Sequence, residues 1–264
     1  MPRFIDTHCH LCNGRLRGDL PGVLDRAKQA GLTAIICASA HIEESRQSLQ
    51  AAREFDGVFF TAGVHPHDAR LVPGDYLDEL SRLAGEQYHV AVGECGLDYH
   101  YDFSPRPDQQ KVFASQADLA GRIGKKLVVH TREAFADTLA ILQSSGIDGG
   151  TVVFHSFTED ASCLRKALDF GATISFSGIA TFANSRVLRE SARLVPTDRI
   201  LIETDAPFLS PEPVRKNKTN EPANVVHVAA ALAAVRGVTL DAFAEVTSAN
   251  AERFFGLDVA PRGR

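Results

Sequence analysis

Two histidines, His8 and His10, are separated by one residue at the end of the first apolar run of the chain. On a β-strand, residues two apart project from the same face, so both imidazoles can bind one metal ion. Later apolar runs also end in residues with ligand atoms, which are Glu94, His130, His155 and Asp205. Imidazole with carboxylate is a donor set that suits zinc, manganese and similar divalent ions without a thiolate.

These six residues exceed the four ligands of one tetrahedral zinc ion, which favours two ions that share a carboxylate. Glu94 lies midway through the series and is the predicted bridge. Two ions about 4 Å apart can activate a water molecule and neutralise charge on the attacked group. Asp205 is predicted to bind one ion and to accept the proton of that water, because a carboxylate beside cations stays ionised. Glu94 and Asp205 are thus the predicted catalytic carboxylates, and zinc, magnesium and manganese are all compatible.

Four further residues are candidates for the same site. Glu203 lies two residues before the last ligand, so we expect it to bind a metal ion or to orient a ligand histidine, with a buried salt bridge as the alternative. Arg132 lies two residues after a ligand histidine and is predicted to clamp a substrate phosphate, unless a nearby carboxylate pairs with it. His65 is predicted to contact phosphate or support a ligand, with a structural cap as the alternative. Arg215 is predicted to meet a nucleic-acid backbone, with a solvated loop as the alternative.

The two least regular stretches of the chain are residues 98–107 and 207–222. Each follows a predicted strand, so both are expected to lie over the same end of the fold. Tyr99, Tyr101 and Phe103 lie in the first stretch, where aromatic rings can stack on bases. Ordinary packing within the loop is the favoured interpretation of these three rings.

Short β-rich runs alternate with amphipathic helical patterns along the whole chain. The predicted strands are residues 4–8, 33–38, 58–64, 90–94, 127–130, 151–155, 173–177 and 200–204. The predicted helices are residues 20–30, 42–55, 75–83, 108–123, 135–144, 161–170, 186–194 and 224–236, with one extra helix at 240–255. Eight successive β-then-α units predict an α/β protein with a (β/α)₈ TIM barrel, formed by a single domain over residues 1–264. The candidate ligands fall at the carboxyl ends of the predicted strands, where barrel active sites are built.

Composition restricts the partners and the location. The 264 residues carry a net charge of −5. This charge argues against nonspecific binding along duplex DNA and favours a strand end or a short single strand as substrate. Five scattered cysteines do not predict a disulfide framework. No apolar stretch approaches the roughly 18 residues that span a bilayer, and the chain enters a strand at once without a signal peptide. We therefore expect a monomeric cytoplasmic protein with no membrane partner.

The motifs resemble those of the TatD-type metal-dependent deoxyribonucleases, within the amidohydrolase-like barrels. The matching segments are FIDTHCHL at 4–11, GVHPH at 63–67, GECGLDY at 93–99, HTREA at 130–134, VFHSF at 153–157, ETDAP at 203–207 and NEP at 220–222, together with Asn250 and FFG at 254–256. The resemblance covers nearly the whole chain in order. Cys95 stands where an aliphatic residue is commoner in that family, and we expect little effect from it.

The resemblance implies a barrel hydrolase with two metal ions. It implies that His8, His10, Glu94 and Asp205 hold one ion and that Glu94, His130 and His155 hold the other. Members of the family are described as DNases that often act from the 3′ end of single strands.

The resulting hypothesis is a metal-dependent deoxyribonuclease that hydrolyses the phosphodiester bonds of DNA, with RNA as a further candidate substrate. It is expected to act as a 3′–5′ exonuclease on single strands. The alternative is the same metal chemistry on another substrate, such as a D-aminoacyl-tRNA deacylase or another amidohydrolase-type hydrolase, because fold does not determine substrate. A third interpretation is a metal-binding scaffold without activity, which the intact set of six ligands disfavours.

Overall fold

The computed structural model describes residues 2–259 and forms a nearly closed barrel of eight parallel strands. Each strand pairs with the next one in the sequence, so the sheet order is β1 to β8. The strands are β1 (Phe4–Cys9), β2 (Leu32–Cys37), β3 (Val58–Ala62), β4 (His89–Asp98), β5 (Lys126–Arg132), β6 (Val152–Phe154), β7 (Thr173–Phe176) and β8 (Ile200–Ile202). The backbone after β8 meets the end of β1, because Asp205 N–H donates to the carbonyl of His8 at 2.9 Å. The predicted eight-stranded α/β barrel is confirmed.

Helices cover the outside of the barrel and one of its ends. They are α1 (Gly14–Arg17), α2 (Leu20–Gln29), α3 (Ile42–Glu54), α4 (Tyr76–Ala84), α5 (Arg106–Ile123), α6 (Phe135–Ser145), α7 (Ala161–Phe170), α8 (Arg186–Leu194), α9 (Val225–Arg236) and α10 (Leu240–Phe255). The short helix α1 was not among the predicted elements. The extra helix α10 is confirmed and contacts β1 and β8. The predicted single domain includes residue 1 and residues 260–264, which lie outside the described residues.

The barrel interior is filled at the end that α10 covers. Alternate strand residues supply this inner core, whose members include Ile5, Ile36, Phe59, Val128, Val153 and Leu201, and it packs against Phe254 and Phe255 of α10. The other strand face packs against the outer helices. Because side chains alternate along a strand, residues two positions beyond an inner hydrophobic residue face the same interior. His130, His155 and Glu203 each occupy such a position, after Val128, Val153 and Leu201 respectively.

Strand β4 extends further than the sequence pattern indicates. It ends at Asp98 instead of residue 94, and all of its residues are buried. Gly93 and Gly96 adopt φ angles of +131° and +141°, and the register with β5 shifts between Val92 and Cys95. A side chain at Gly96 would meet the carbonyl oxygen of His130 at 1.9 Å. The glycine therefore lets β4 continue directly against the part of β5 that carries His130.

Within residues 2–259, no single helix is long and apolar enough to cross a bilayer. The segments Pro222–Arg236 and Leu240–Phe255 meet the length and composition requirements only as a pair, and the chain bends by 110° between them.

Candidate metal centre

One carboxylate stands at the centre of the cluster formed by the six predicted ligands. The Oε2 atom of Glu94 lies 3.3 Å from His8 Nε2 and 3.4 Å from His10 Nε2. Those two nitrogens are 3.3 Å apart. The Oδ1 atom of Asp205 lies 3.7 Å from His8 Nε2 and 3.6 Å from His10 Nε2. This side of Glu94 therefore faces two imidazoles and a second carboxylate.

The other oxygen of Glu94 faces a separate group of imidazoles. Its Oε1 atom lies 2.8 Å from His155 Nε2, 3.0 Å from His130 Nδ1 and 3.3 Å from His65 Nε2. The His130 Nδ1 and His155 Nε2 atoms are 3.2 Å apart. His65 was predicted to contact phosphate or support a ligand, and the structure places its ring among the donor atoms themselves.

The donor atoms fit divalent metal ions. Ligands held 2.0–2.1 Å from a tetrahedral ion are separated from one another by about 3.3–3.4 Å. The triangle formed by His8, His10 and Glu94 has edges of 3.3, 3.3 and 3.4 Å. Donor atoms also lie within 4.8 Å of one another in two further groups, His8 with His155 and Asp205, and His65 with Glu94 and His130. A neutral imidazole has one nitrogen lone pair that can bind a metal ion. Nitrogens that lie this close together can therefore bind one shared cation.

Two buried carboxylates, Glu203 and Asp98, each accept a hydrogen bond from a ligand imidazole on the side away from Glu94. Glu203 Oε1 accepts hydrogen bonds from His155 Nδ1–H at 3.1 Å and from the N–H of Ser156 at 2.8 Å. Its Oε2 atom is buried and has no hydrogen-bond partner within residues 2–259. Glu203 thus lies on the far side of the His155 ring from Glu94, which matches the second of the two roles predicted for it, and its binding of a metal stays a prediction.

Asp98 is the residue that sequence reasoning missed. Its Oδ2 atom accepts hydrogen bonds from His130 Nε2–H at 3.1 Å and from His67 Nε2–H at 3.0 Å. The side chain is fully buried at the end of β4. The sequence pattern ends this strand at residue 94, which placed Asp98 in a loop. The available signal was the spacing, since a strand that continues through Gly96 brings Asp98 to the same edge of the sheet as His130.

Burial and charge oppose each other in this cluster. Burial raises the pKa of Glu94, but the electrostatic effect of the neighbouring imidazoles, with His155 first, outweighs it and holds the pKa well below its usual range. Burial also raises the pKa of Asp205, and the hydrogen bond with His10 and the neighbouring imidazoles reverse that effect, so the pKa is lowered. Burial lowers the pKa of His65 to about 4 despite the nearby Glu94. Both carboxylates are therefore ionised and His65 is neutral near pH 7.

The cluster lies at the bottom of a cavity of about 670 Å³ at the carboxyl ends of the strands. The cavity is lined by His10, Asn13, Ala40, Glu44, His65, His67, Asp68, Glu94, Asp98, Tyr101, His130, Thr131, Arg132, His155, Ser156, Thr158, Ile179, Phe182, Asp205, Phe208 and Leu209. The predicted phosphate ligand Arg132 is thus at the wall of the cavity. Arg215 lies further out, with its guanidinium 3.9 Å from the centre of the Phe182 ring.

A parallel eight-stranded barrel with imidazole and carboxylate donors at the carboxyl ends of its strands defines a metal-dependent hydrolase. The family model described as "TatD related DNase" matches residues 5–256, and the chain belongs to this family. The resemblance seen in the sequence is thereby confirmed.

Relatives and a solved structure agree with this assignment. The uncharacterized metal-dependent hydrolase YcfH of Escherichia coli K12 is 40% identical over 260 residues, which cover 97% of each protein. The 3′-5′ ssDNA/RNA exonuclease TatD of Edwardsiella piscicida is 37% identical over 261 residues, which cover 96% of this chain and 100% of that protein. The crystal structure of YJJV, a TatD homologue from Escherichia coli K12, superposes with a TM-score of 0.91 at 27% identity and covers 97% of this chain and 99% of its own.

Proposed function

We propose that the chain is a two-metal phosphodiesterase that removes nucleotides from the 3′ end of single-stranded DNA or RNA. The observation that carries the proposal is the division of donor atoms by Glu94, whose two oxygens face two separate groups of ligands. A relative that is 37% identical over nearly the whole chain is named as a 3′-5′ ssDNA/RNA exonuclease, which supports the choice of substrate and polarity.

Each side of Glu94 is proposed to hold one divalent ion. His8, His10 and Asp205 complete the site at Oε2, whereas His130 and His155 complete the site at Oε1, with His65 at 3.3 Å as a further donor. When bound, the two ions supply an activated water and neutralise negative charge on the attacked phosphate.

The chain itself supplies the proton acceptor and the phosphate contact. Asp205 is the more exposed of the two central carboxylates, with 14% of its side chain accessible against 3% for Glu94. Asp205 is therefore the group that can accept the proton of an incoming water, while Glu94 acts catalytically by fixing the two ligand groups relative to each other. Arg132 is exposed at the cavity wall and is proposed to bind a phosphate oxygen of the substrate.

The test uses one single-stranded oligonucleotide that is labelled at either its 3′ or its 5′ end. We expect the metal-depleted protein to be inactive and restored divalent metal to give stepwise shortening from the 3′ end. Asp205→Asn should abolish shortening, whereas the exposed Asp102→Asn should behave as the parent. Absence of cleavage with every divalent ion, in a folded protein that binds two metals, would refute the nuclease proposal and direct the search to aminoacyl-tRNA and amide substrates.

A further inference from the structure

Three arginine side chains each lie over an aromatic ring at the mouth of the cavity. The guanidinium carbon of Arg15 is 5.7 Å from the centre of the Phe208 ring, and that of Arg132 is 4.9 Å from the centre of the Tyr101 ring. The third pair is Arg215 with Phe182, at 3.9 Å. We call these six residues the rim. Each distance is within the range of cation–π contact.

The rings of the rim come from three different loops at the cavity that contains the metal centre. Tyr101 follows β4, Phe182 follows β7 and Phe208 follows β8, and all three line the cavity. Phe208 packs edge-on against the ligand His10, with ring centres 5.9 Å apart. Tyr101 packs edge-on against His67 at 5.5 Å. The aromatic surface is therefore continuous with the metal cluster.

Two of the three rings and all three arginines of the rim are exposed, although Tyr101 also stacks on Phe103 of its own loop, with ring centres 5.3 Å apart. Tyr101 is 48% accessible and Phe208 is 42% accessible. Within residues 2–259, neither Arg15 nor Arg132 has a carboxylate oxygen within 4.0 Å, whereas Arg215 has Glu212 Oε1 at 3.9 Å. Guanidinium groups without an ion-pair partner remain available for an anion, and exposed aromatic surface beside a cavity is typical of a binding site.

We propose that the rim binds the unpaired terminal nucleotides of a single-stranded nucleic acid, with bases stacked on the rings and phosphates contacted by the arginines. This inference rests on the proposed phosphodiesterase function and adds the residues that select the form of the substrate. Every base has a π-face, so stacking tolerates different sequences. Bases in a duplex are already stacked and paired within it, so the rim selects single strands over blunt duplex ends.

The affinity for a single strand should therefore depend on the bases that stack on the three rings of the rim. Stacking of one base on one aromatic side chain corresponds to roughly 5- to 100-fold in affinity. A strand whose terminal nucleotides lack bases keeps its phosphates and loses only the stacking. Removal of a ring and removal of the bases should therefore have effects that overlap instead of adding.

The experiment measures binding by fluorescence anisotropy in an Asp205→Asn background, which prevents degradation. The probes are a labelled single-stranded oligonucleotide, the same strand with abasic sites at its two 3′-terminal nucleotides, and a blunt hairpin. The variants are Tyr101→Leu and Phe182→Leu, with Tyr101→Phe to restore a ring and the exposed Leu194→Ala on α8 as a remote control.

We expect Tyr101→Leu and Phe182→Leu each to weaken binding of the intact strand by roughly 5- to 100-fold and to leave the abasic strand nearly unaffected. Tyr101→Phe and Leu194→Ala should bind as the parent, and the hairpin should bind more weakly than the single strand. Equal losses for intact and abasic strands, or equal binding of strand and hairpin, would overturn the proposal. Because Tyr101 is half exposed, its variants should keep the thermal unfolding midpoint of the parent.

The two proposals fail in different ways. Hydrolysis of methyl p-nitrophenyl phosphate by the metal-loaded parent protein reports phosphodiester cleavage without any base. Absence of hydrolysis together with base-dependent binding refutes the phosphodiesterase and leaves the rim as a surface that binds the bases of a single strand. Hydrolysis together with base-independent binding refutes only the assignment of the rim.

Discussion

Replacement of Asp98 by asparagine tests how the ligand imidazoles are held. The two oxygens of Asp98 have separate partners in the structure. Oδ1 accepts hydrogen bonds from the N–H groups of His100 and Tyr101 at 3.0 and 2.9 Å, and Oδ2 accepts from the imidazoles of His130 and His67. Burial raises the pKa of Asp98, but the hydrogen bonds with His130 and His67 outweigh it, so the pKa lies well below its usual range. The buried group is therefore a carboxylate that accepts four hydrogen bonds.

Asparagine has nearly the same shape but only one accepting oxygen. If that oxygen keeps the two backbone partners, the amide N–H₂ of Asp98→Asn faces the imidazoles. His130 must then accept a hydrogen bond at Nε2, which moves its proton to Nδ1. Nδ1 is the atom that lies 3.0 Å from Glu94 Oε1, and a protonated nitrogen has no lone pair for a metal. Loss of such a supporting carboxylate typically weakens metal binding about 10- to 100-fold, or roughly 1.4–2.8 kcal/mol.

The assay is calorimetric titration of the metal-depleted protein with a divalent ion. We expect Asp98→Asn to weaken the binding of one of the two ions by the stated factor and to leave the affinity for the other unchanged. The reason is that His130, on the Oε1 side of Glu94, is the predicted ligand whose imidazole Asp98 contacts. Asp102→Asn is the matched control, since that exposed carboxylate pairs with Arg106 at 3.0 Å on the surface. Two unchanged affinities in a folded variant, or equal weakening of both ions, would refute the reasoning.

Three further predictions concern the bridge, the backbone and acid stability. Glu94→Gln should reduce the bound metal below two ions per chain, because one oxygen of the carboxylate becomes an N–H₂ donor. Elemental analysis of the folded variant would contradict this if it still found two ions. Gly96→Ala should lower the free energy of unfolding, measured with urea, by at least roughly 2 kcal/mol, because its φ is +141° and its Cβ would overlap the His130 carbonyl. Gly124→Ala is the control. Its φ is +66° and its Cβ would enter open space, so the free energy of unfolding should fall by only about 1 kcal/mol. Burial lowers the pKa of His89 to about 3, and the charge of Lys125 adds to this effect. Since this value is below the ordinary 6.5, the unfolded chain binds more protons between the two, and the stability falls as the pH decreases. His89→Phe should remove about 2 kcal/mol of the stability loss between pH 7 and pH 5, and an unchanged pH dependence of unfolding would contradict the assignment.

The sequence by itself determined the barrel and the set of candidate ligands. Alternating strand and helix patterns predict parallel strands, and parallel strands bring their carboxyl ends to one edge. His130 and His155 could therefore be placed near Glu94 although they are far apart in the chain. The family motifs contain the same residues, and the match over residues 5–256 confirms the family to which the chain belongs.

The tertiary structure alone decided which atoms face each other. The division of donor atoms between the two oxygens of Glu94 depends on the rotation of side chains and on the register shift in β4. The contact of Asp98 with His130 depends on the extension of β4 through Gly96, which a strand pattern that ends at residue 94 does not contain. Likewise, the place of Glu203 behind His155 requires β6 and β8 to be brought together across β7.

The rim shows the same limit at the surface. Tyr101 and Arg132 belong to loops and strand ends whose side chains meet only after the barrel closes, and the sequence favoured plain loop packing for Tyr101. Local patterns report the period of a strand or a helix, which sets the face a residue occupies. They carry no information on the distance between residues from different loops, since that distance is set by the packing of the whole barrel.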